Sequence, residues 1–125
     1  MTVARRRTGE IAEELVAQRL AAAGWEIVER NARTRYGEID IVARDGRALV
    51  FVEVKGARAG TAFGPEKPIL AIDARKQRQV RRLATAWMSA RREGLRYDEI
   101  RFDAVGVTLD AAGRTVDVEY VKGAF

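Results

Sequence analysis

Hydrophobic and polar positions follow two different periods along this chain. Ile11, Ala12, Leu15, Val16, Leu20 and Ala23 recur at three- and four-residue steps, the spacing that lines one side of a helix. Thr8 is placed to cap that helix and Gly24 to stop it. Trp25 to Arg30 alternates weakly and predicts a strand, with 31–35 as a connection. Tyr36 to Arg44 and Arg47 to Lys55 alternate more clearly and flank Asp45-Gly46, a dipeptide that favours a two-residue hairpin turn. The stretch 56–70 lacks periodicity, contains both prolines, Pro65 and Pro68, and predicts a loop. A second helix from Ile72 to Arg92 follows, then strands at Glu99 to Leu109 and Thr115 to Val121 joined by a turn at 110–114. The order αβββαββ predicts an α/β fold in one domain, 1–125, with a mixed central sheet of about five strands and helices packed on it.

With Asp45 and Gly46 as turn residues, Asp40 faces Phe51, Glu38 faces Glu53 and Tyr36 faces Lys55 across the hairpin. Side-chain alternation then groups Tyr36, Glu38, Asp40 and Val42 with Leu49, Phe51, Glu53 and Lys55 on one sheet face. Ile39, Ile41, Val50, Val52 and Val54 form an apolar opposite face. Asp40 and Glu53 become diagonal neighbours, about 5–8 Å apart between Cβ atoms. Carboxylates this close repel, so one takes up a proton or a cation joins them. A wet, charged sheet face accounts for such acids equally well when only their charge is considered. The run Leu49-Val50-Phe51-Val52-Glu53-Val54 argues otherwise, because a strand apolar on both sides is covered on both sides and its Glu is buried or beside a cleft. On the first helix, Glu13 lies at the edge of the apolar arc while Glu10 and Glu14 project away.

Composition narrows the chemistry. The 125 residues include 23 basic and 18 acidic side chains, net +5, with no Cys and no His. That excludes thiol nucleophiles, thiolate and imidazole metal sites, and histidine triads or proton shuttles. A metal would have to sit on oxygen ligands, as Mg²⁺ or Mn²⁺ does. The charge is uneven: residues 75–92 hold seven basic groups and no acid, more than the whole net excess. On a helical wheel Arg75, Arg78, Arg81, Arg82 and Arg92 oppose an apolar arc of Val80, Leu83, Ala84, Trp87 and Ala90, a stripe suited to phosphates. Arg5-Arg6-Arg7 forms a second cluster. Lys76 falls inside the apolar arc with Gln79 at its edge, so it either snorkels or reaches the carboxylates from the side. Trp25 and Trp87 fall in apolar patterns and are expected in the core. No apolar run has signal-peptide or membrane-span length, so a cytoplasmic protein without a membrane partner is expected.

The blocks Gly37-Glu38-Ile39-Asp40 and Phe51-Val52-Glu53-Val54-Lys55, with Gly9, Glu13, Leu20, Gly24, Asn31 and the closing Ala124-Phe125, resemble the YraN-like family of small bacterial proteins. That family looks like a branch of the PD-(D/E)xK, restriction-endonuclease-like nuclease superfamily, which also includes Holliday junction resolvases. The resemblance spans nearly the whole chain. It implies a restriction-endonuclease-like three-layer fold and a metal-dependent DNA endonuclease, acting on branched or single-strand-containing DNA. Asp40 and Glu53 would be metal ligands, Glu13 would complete or orient the metal shell, the Val54 carbonyl would be a further ligand, and Lys55 would stabilise developing charge. Glu38, Lys76 and Gln79 would support that site, and Arg5 to Arg7, Arg75, Arg78, Arg81 and Arg82 would hold the phosphate backbone. The cofactor implied is Mg²⁺ or Mn²⁺, with no zinc, haem or nucleotide cofactor, and symmetric cleavage would require a homodimer. The chain departs from the family pattern at Ala57, where Arg is usual and Arg58 stands next to it, and at Tyr120, where many relatives carry His. Asp103 matches the late strand of the family without an assigned role. The competing reading is a module that keeps this fold but only binds nucleic acid or protein.

Overall fold

The computed structural model describes residues 2–60, 67–91 and 94–125. Five strands form one sheet in the order β1 (Glu26–Thr34), β2 (Gly37–Asp45), β3 (Ala48–Arg58), β4 (Glu99–Leu109) and β5 (Thr115–Val121). β3 and β4 run parallel and every other neighbouring pair is antiparallel. The parallel step needs a crossover, and the segment carrying helix α2 (Ala74–Ala90) supplies it. Helix α1 (Val3–Ala22) covers one face and α2 the other, so the order αβββαββ builds three layers around two apolar cores. α1 packs Ala12, Val16 and Leu20 on Ile41, Val50, Val52 and Val105. α2 packs Val80, Leu83 and Trp87 on Val42, Leu49, Phe51 and Phe102. Among the described residues no helix is long and apolar enough to cross a membrane.

Several element boundaries differ from the sequence pattern for identifiable reasons. α1 begins at Val3, because the Thr2 hydroxyl caps it by accepting from the Arg5 N–H at 3.2 Å, and the Ala-Arg-Arg-Arg run consists of good helix formers. Thr8 is therefore no cap. It is buried inside the helix, and its hydroxyl donates to the Ala4 carbonyl at 2.9 Å. Ala23 lies beyond the helix and is exposed, as is Ala90 at the end of α2. Asp73 caps α2 by accepting from the Lys76 N–H at 2.9 Å, two residues later than the apolar pattern suggests. β1 extends to Thr34 through the segment expected to be a connection, and β3 continues to Arg58 into the segment expected to be a loop. Pro68–Ala71 forms a 3₁₀ turn, while 61–66 and Arg92 lie outside the described residues.

The hairpin register is the correction with the largest consequence. Asp45 pairs with Ala48, so the turn residues are Gly46 and Arg47 rather than Asp45 and Gly46. Only Gly46 has positive φ (60°), which fits a type II′ turn with Gly at its first central position; a type I′ turn needs two such residues. Val42 consequently faces Phe51, the position expected for Asp40. The displacement is two residues, an even number, so the faces survive even though the partners change. Ile39 is the exception. It packs in the α2 core with Ala32, its partner on β1, instead of facing α1. The alternation breaks in both strands between this pair and Arg30 with Ile41, where Asn31 takes a left-handed φ of 49°.

Gly56 sets how closely α1 approaches β3. A Cβ placed there would lie 2.8 Å from the Ala12 Cβ and 3.1 Å from the Thr8 carbonyl oxygen, neither of them the flexible end of a long side chain. Gly106 on β4 plays the same part on the other face, where a Cβ would meet the backbone nitrogen of Ile69 in the 3₁₀ turn at 2.8 Å. Gly56→Ala is expected to lower stability by about 1–3 kcal/mol through overpacking, read as a lower urea midpoint at an unchanged slope.

Candidate active site

β2 and β3 stay paired from the turn to Ile41 and Val52 and then part. The parting strands would leave the Val54 N–H without a partner strand, and the Asp40 carboxylate fills the place, accepting that N–H at 2.8 Å through Oδ2. The Val54 carbonyl points to the same side of β3 as its N–H and so faces the same gap. Asp40 and Glu53 each follow the last paired residues, Ile41 and Val52, on the two sides of the gap, and their carboxyls are close enough to share a hydrogen bond. Glu53 is only 7% exposed. Its Oε1 meets the Lys76 ammonium at 3.3 Å, so the cation in the apolar arc of α2 reaches the carboxylates.

The carboxylates are held out of their ordinary range. Burial raises the Glu53 carboxyl to about 8, assisted by the Asp40 charge and opposed by Lys76. Burial also raises Asp40, while the Val54 N–H and Lys76 pull it down. On the α1 side, the half-buried Glu13 is raised to about 7, first by burial and then by Asp40, with Arg30 opposing. Asp40 is thus felt by Glu13 from one layer and by Glu53 with Lys76 from the other. Among the described residues, no group of three or more Asp or Glu side chains comes together closely enough to hold a metal ion. The donors that do converge are two carboxylates and a strand carbonyl.

The other residues singled out by the sequence divide between this site and the surface. Lys55 is exposed on the Glu53 face and has no ion pair among the described residues. Glu38 is exposed and pairs with Arg33 at 3.2 Å, near enough to raise both Glu13 and Asp40. Gln79 is exposed. Arg5, Arg6 and Arg7 lie exposed in the first turns of α1, just before Thr8, which abuts Gly56. Arg75 and Arg78 are exposed along α2, without ion pairs among the described residues. Arg81 sits 4.7 Å over the Phe102 ring and Arg82 3.8 Å over the Tyr36 ring. Arg58, the cation next to Ala57, turns to the α1 face, where it donates to the Thr8 hydroxyl at 3.0 Å and the Ala111 carbonyl at 2.8 Å.

Asp103 belongs to a second polar cluster that pattern reading did not assemble. It is fully buried and accepts from Arg101 through Nε (2.9 Å) and Nη2 (3.0 Å), from the Tyr120 hydroxyl (2.6 Å) and from the Gly123 N–H (2.9 Å). Arg101 also reaches Asp45 at 3.1 Å. Burial and the Asp103 hydrogen bond push the Tyr120 phenol well above its usual range. The Arg-x-Asp spacing in an otherwise apolar strand is the signal that could have shown it, since alternation puts 101 and 103 on one face. Trp25 is half-buried beside this cluster, with Arg101 5.2 Å from its ring centre, and Trp87 is buried in the α2 core.

A three-layer mixed α/β fold with a half-buried Asp40 beside a buried Glu53 where two strands part defines the structural class. The sequence matches the profile of "Uncharacterised protein family UPF0102" over residues 12–107, and the chain belongs to that family. Relatives described as UPF0102 proteins include one from Moorella thermoacetica, 46% identical across 100% of both chains, and one from Streptomyces griseus subsp. griseus, 45% identical over 96% of this chain and 97% of its own. Another, from Rhodococcus jostii, is 43% identical over 94% of each.

The raised Glu53 fixes the sign of a pH effect. Its folded pKa of about 8 lies above the ordinary 4.5, so the native state binds more protons than the unfolded chain between those values. This contribution is fully present below about pH 4.5 and is lost as pH rises through 8. The melting temperature at low salt without divalent ions is expected to fall between pH 6 and 9, and Glu53→Gln to flatten the fall. An equal slope in the variant would assign the loss to other groups.

Proposed function

We propose that this protein is a metal-dependent DNA endonuclease whose centre is formed by Asp40, Glu53 and Lys55, with Glu13 beside it. The observation that carries this reading is the Asp40–Glu53 pair itself, two carboxylates set into an apolar sheet, both destabilised as anions by burial and Glu53 further by the charge of Asp40. Their spacing to Lys55 follows the PD-(D/E)xK pattern, which supports the same reading. The donor set suits a hard divalent ion. Mg²⁺ and Mn²⁺ take oxygen ligands, and Mg²⁺ commonly binds through one or two protein carboxylates while keeping several waters. Asp40, Glu53 and the Val54 carbonyl would hold it, with Glu13 at the margin of the shell. When bound, such an ion supplies positive charge for phosphoryl oxygens and a water of lowered pKa.

The chain's own groups have separable tasks. The Val54 N–H fixes the Asp40 carboxylate. Lys76 fixes Glu53 through its 3.3 Å contact. Lys55, exposed and without an ion pair among the described residues, offers its ammonium to charge developing on the phosphate. Glu13, raised to about 7, can take or release a proton at its carboxylate near neutrality. Arg75, Arg78 and Arg5 to Arg7 offer exposed cations to flanking phosphates. Branched or single-strand-containing DNA is the favoured substrate by likeness to resolvases, and symmetric cuts would need two copies acting together.

The decisive assay incubates purified protein with four-way and flap DNA in Mn²⁺ or Mg²⁺. Cutting is expected in the wild type and its loss in Asp40→Asn, which keeps an oxygen acceptor for the Val54 N–H while removing the charge. Binding should persist in the variant. Binding without cutting in every divalent ion would overturn the enzyme reading and leave a nucleic-acid-binding module.

Phosphate contact by α2 has its own test. Arg75→Glu with Arg78→Glu is expected to weaken DNA binding and reduce the slope of log K against log salt by roughly two. An unchanged slope assigns both arginines to solvent.

A further inference from the structure

β1, the turn that leads into β2 and the outer flank of α2 enclose a groove of about 1010 Å³. Arg33, Arg35, Arg82 and Arg91 line it against one carboxylate, Glu29. Glu29 is already engaged, since it accepts the Trp87 indole N–H at 3.2 Å. At the mouth stands Tyr36, 44% exposed in an otherwise polar turn. The Arg82 guanidinium lies 3.8 Å from the centre of its ring and that of Arg35 lies 5.6 Å away. An exposed aromatic ring flanked by two arginines is poorly explained by the core, which it does not join.

We propose that Tyr36 is a stacking platform for an unpaired base of a nucleic-acid strand whose phosphates run along the arginines of this groove. Charge complementarity selects the occupant: Arg33 pairs with Glu38, but Arg35, Arg82 and Arg91 have no ion pair among the described residues and suit a polyanion, and the ring with its capping guanidinium supplies flat surfaces of the kind on which bases stack. Arg82 also restricts the ring before any ligand arrives, so less side-chain freedom is lost on binding. Tyr36 stands in the turn just before β2, four residues from Asp40, so the two are no more than roughly 13 Å apart at strand rise and one bound strand is long enough to reach both. The proposal rests on the nucleic-acid reading above and narrows its substrate to DNA with an unpaired segment next to the position acted on.

The test measures binding in EDTA, where cleavage does not enter, using fluorescent single-stranded and duplex oligonucleotides of equal length. Tyr36→Ala is expected to weaken single-strand binding by about tenfold with little change for duplex, while Tyr36→Phe, which keeps the ring, stays at wild-type affinity. The salt slope should be the same in wild type and Tyr36→Ala, because no phosphate contact is removed. A 2-aminopurine base in the single strand should be quenched by wild type and Tyr36→Phe and spared by Tyr36→Ala. Equal losses for single strand and duplex, or none for either, would overturn the platform while leaving the nuclease reading intact. Failure to bind any oligonucleotide would overturn both readings. Displacement of the oligonucleotide by poly-L-glutamate at matched charge, abolished in Tyr36→Ala, would assign the groove to an acidic polypeptide instead.

Discussion

The hydrogen bond from the Val54 N–H to Asp40 is the contact on which the site's arrangement turns. A sheet tolerates the separation of two central strands only where the orphaned backbone groups find other partners, because an unpaired buried N–H costs about 1–3 kcal/mol. Here the substitute is a carboxylate, so the break in the ladder and the placement of an acid are one event. Glu53 follows from the same geometry, since it is the β3 residue facing the gap from the α2 side. Lys76 and Glu13 then approach from opposite layers because α2 and α1 cover opposite faces of the sheet.

Close backbone approach makes those covers tight enough to matter. Gly56 lets α1 settle on the end of β3, and Gly106 lets the 3₁₀ turn settle on β4 beside Lys55, its pairing partner. The carboxylates therefore sit between backbone walls, which keeps water scarce around Glu53 and Asp40 and raises both. Lys55 escapes this confinement. One strand thus presents a buried acid and an exposed base two residues apart on the same face.

The parts of this arrangement that were legible in the sequence are those set by local pattern. β4 and β5 begin and end where their alternation does, and the face of Glu53 is readable because parity outlasts a register error, whereas Asp40 sits where the alternation of β2 breaks. The register itself was not readable. Asp45-Gly46 and Gly46-Arg47 both offer a glycine for a tight turn, and the choice falls to Arg101, which holds Asp45 inside the strand from two strands away. The first turns of α1 were hidden because three arginines carry no apolar period, although they propagate a helix well. The Asp103 cluster was hidden because Tyr120 and Gly123, two of its donors, lie about twenty residues further on and come together only when β5 pairs with β4.

Arg101 therefore has a bearing on chemistry it never touches. By gripping Asp45 at one end of the hairpin it sets the mark from which every later residue of β2 is counted along β3. The six residues from Asp45 to Asp40 act as a ruler, and a slip at the held end reappears undiminished at the other. The length of that ruler and the clamp at its zero point therefore act as a single measurement, read at the carboxylate.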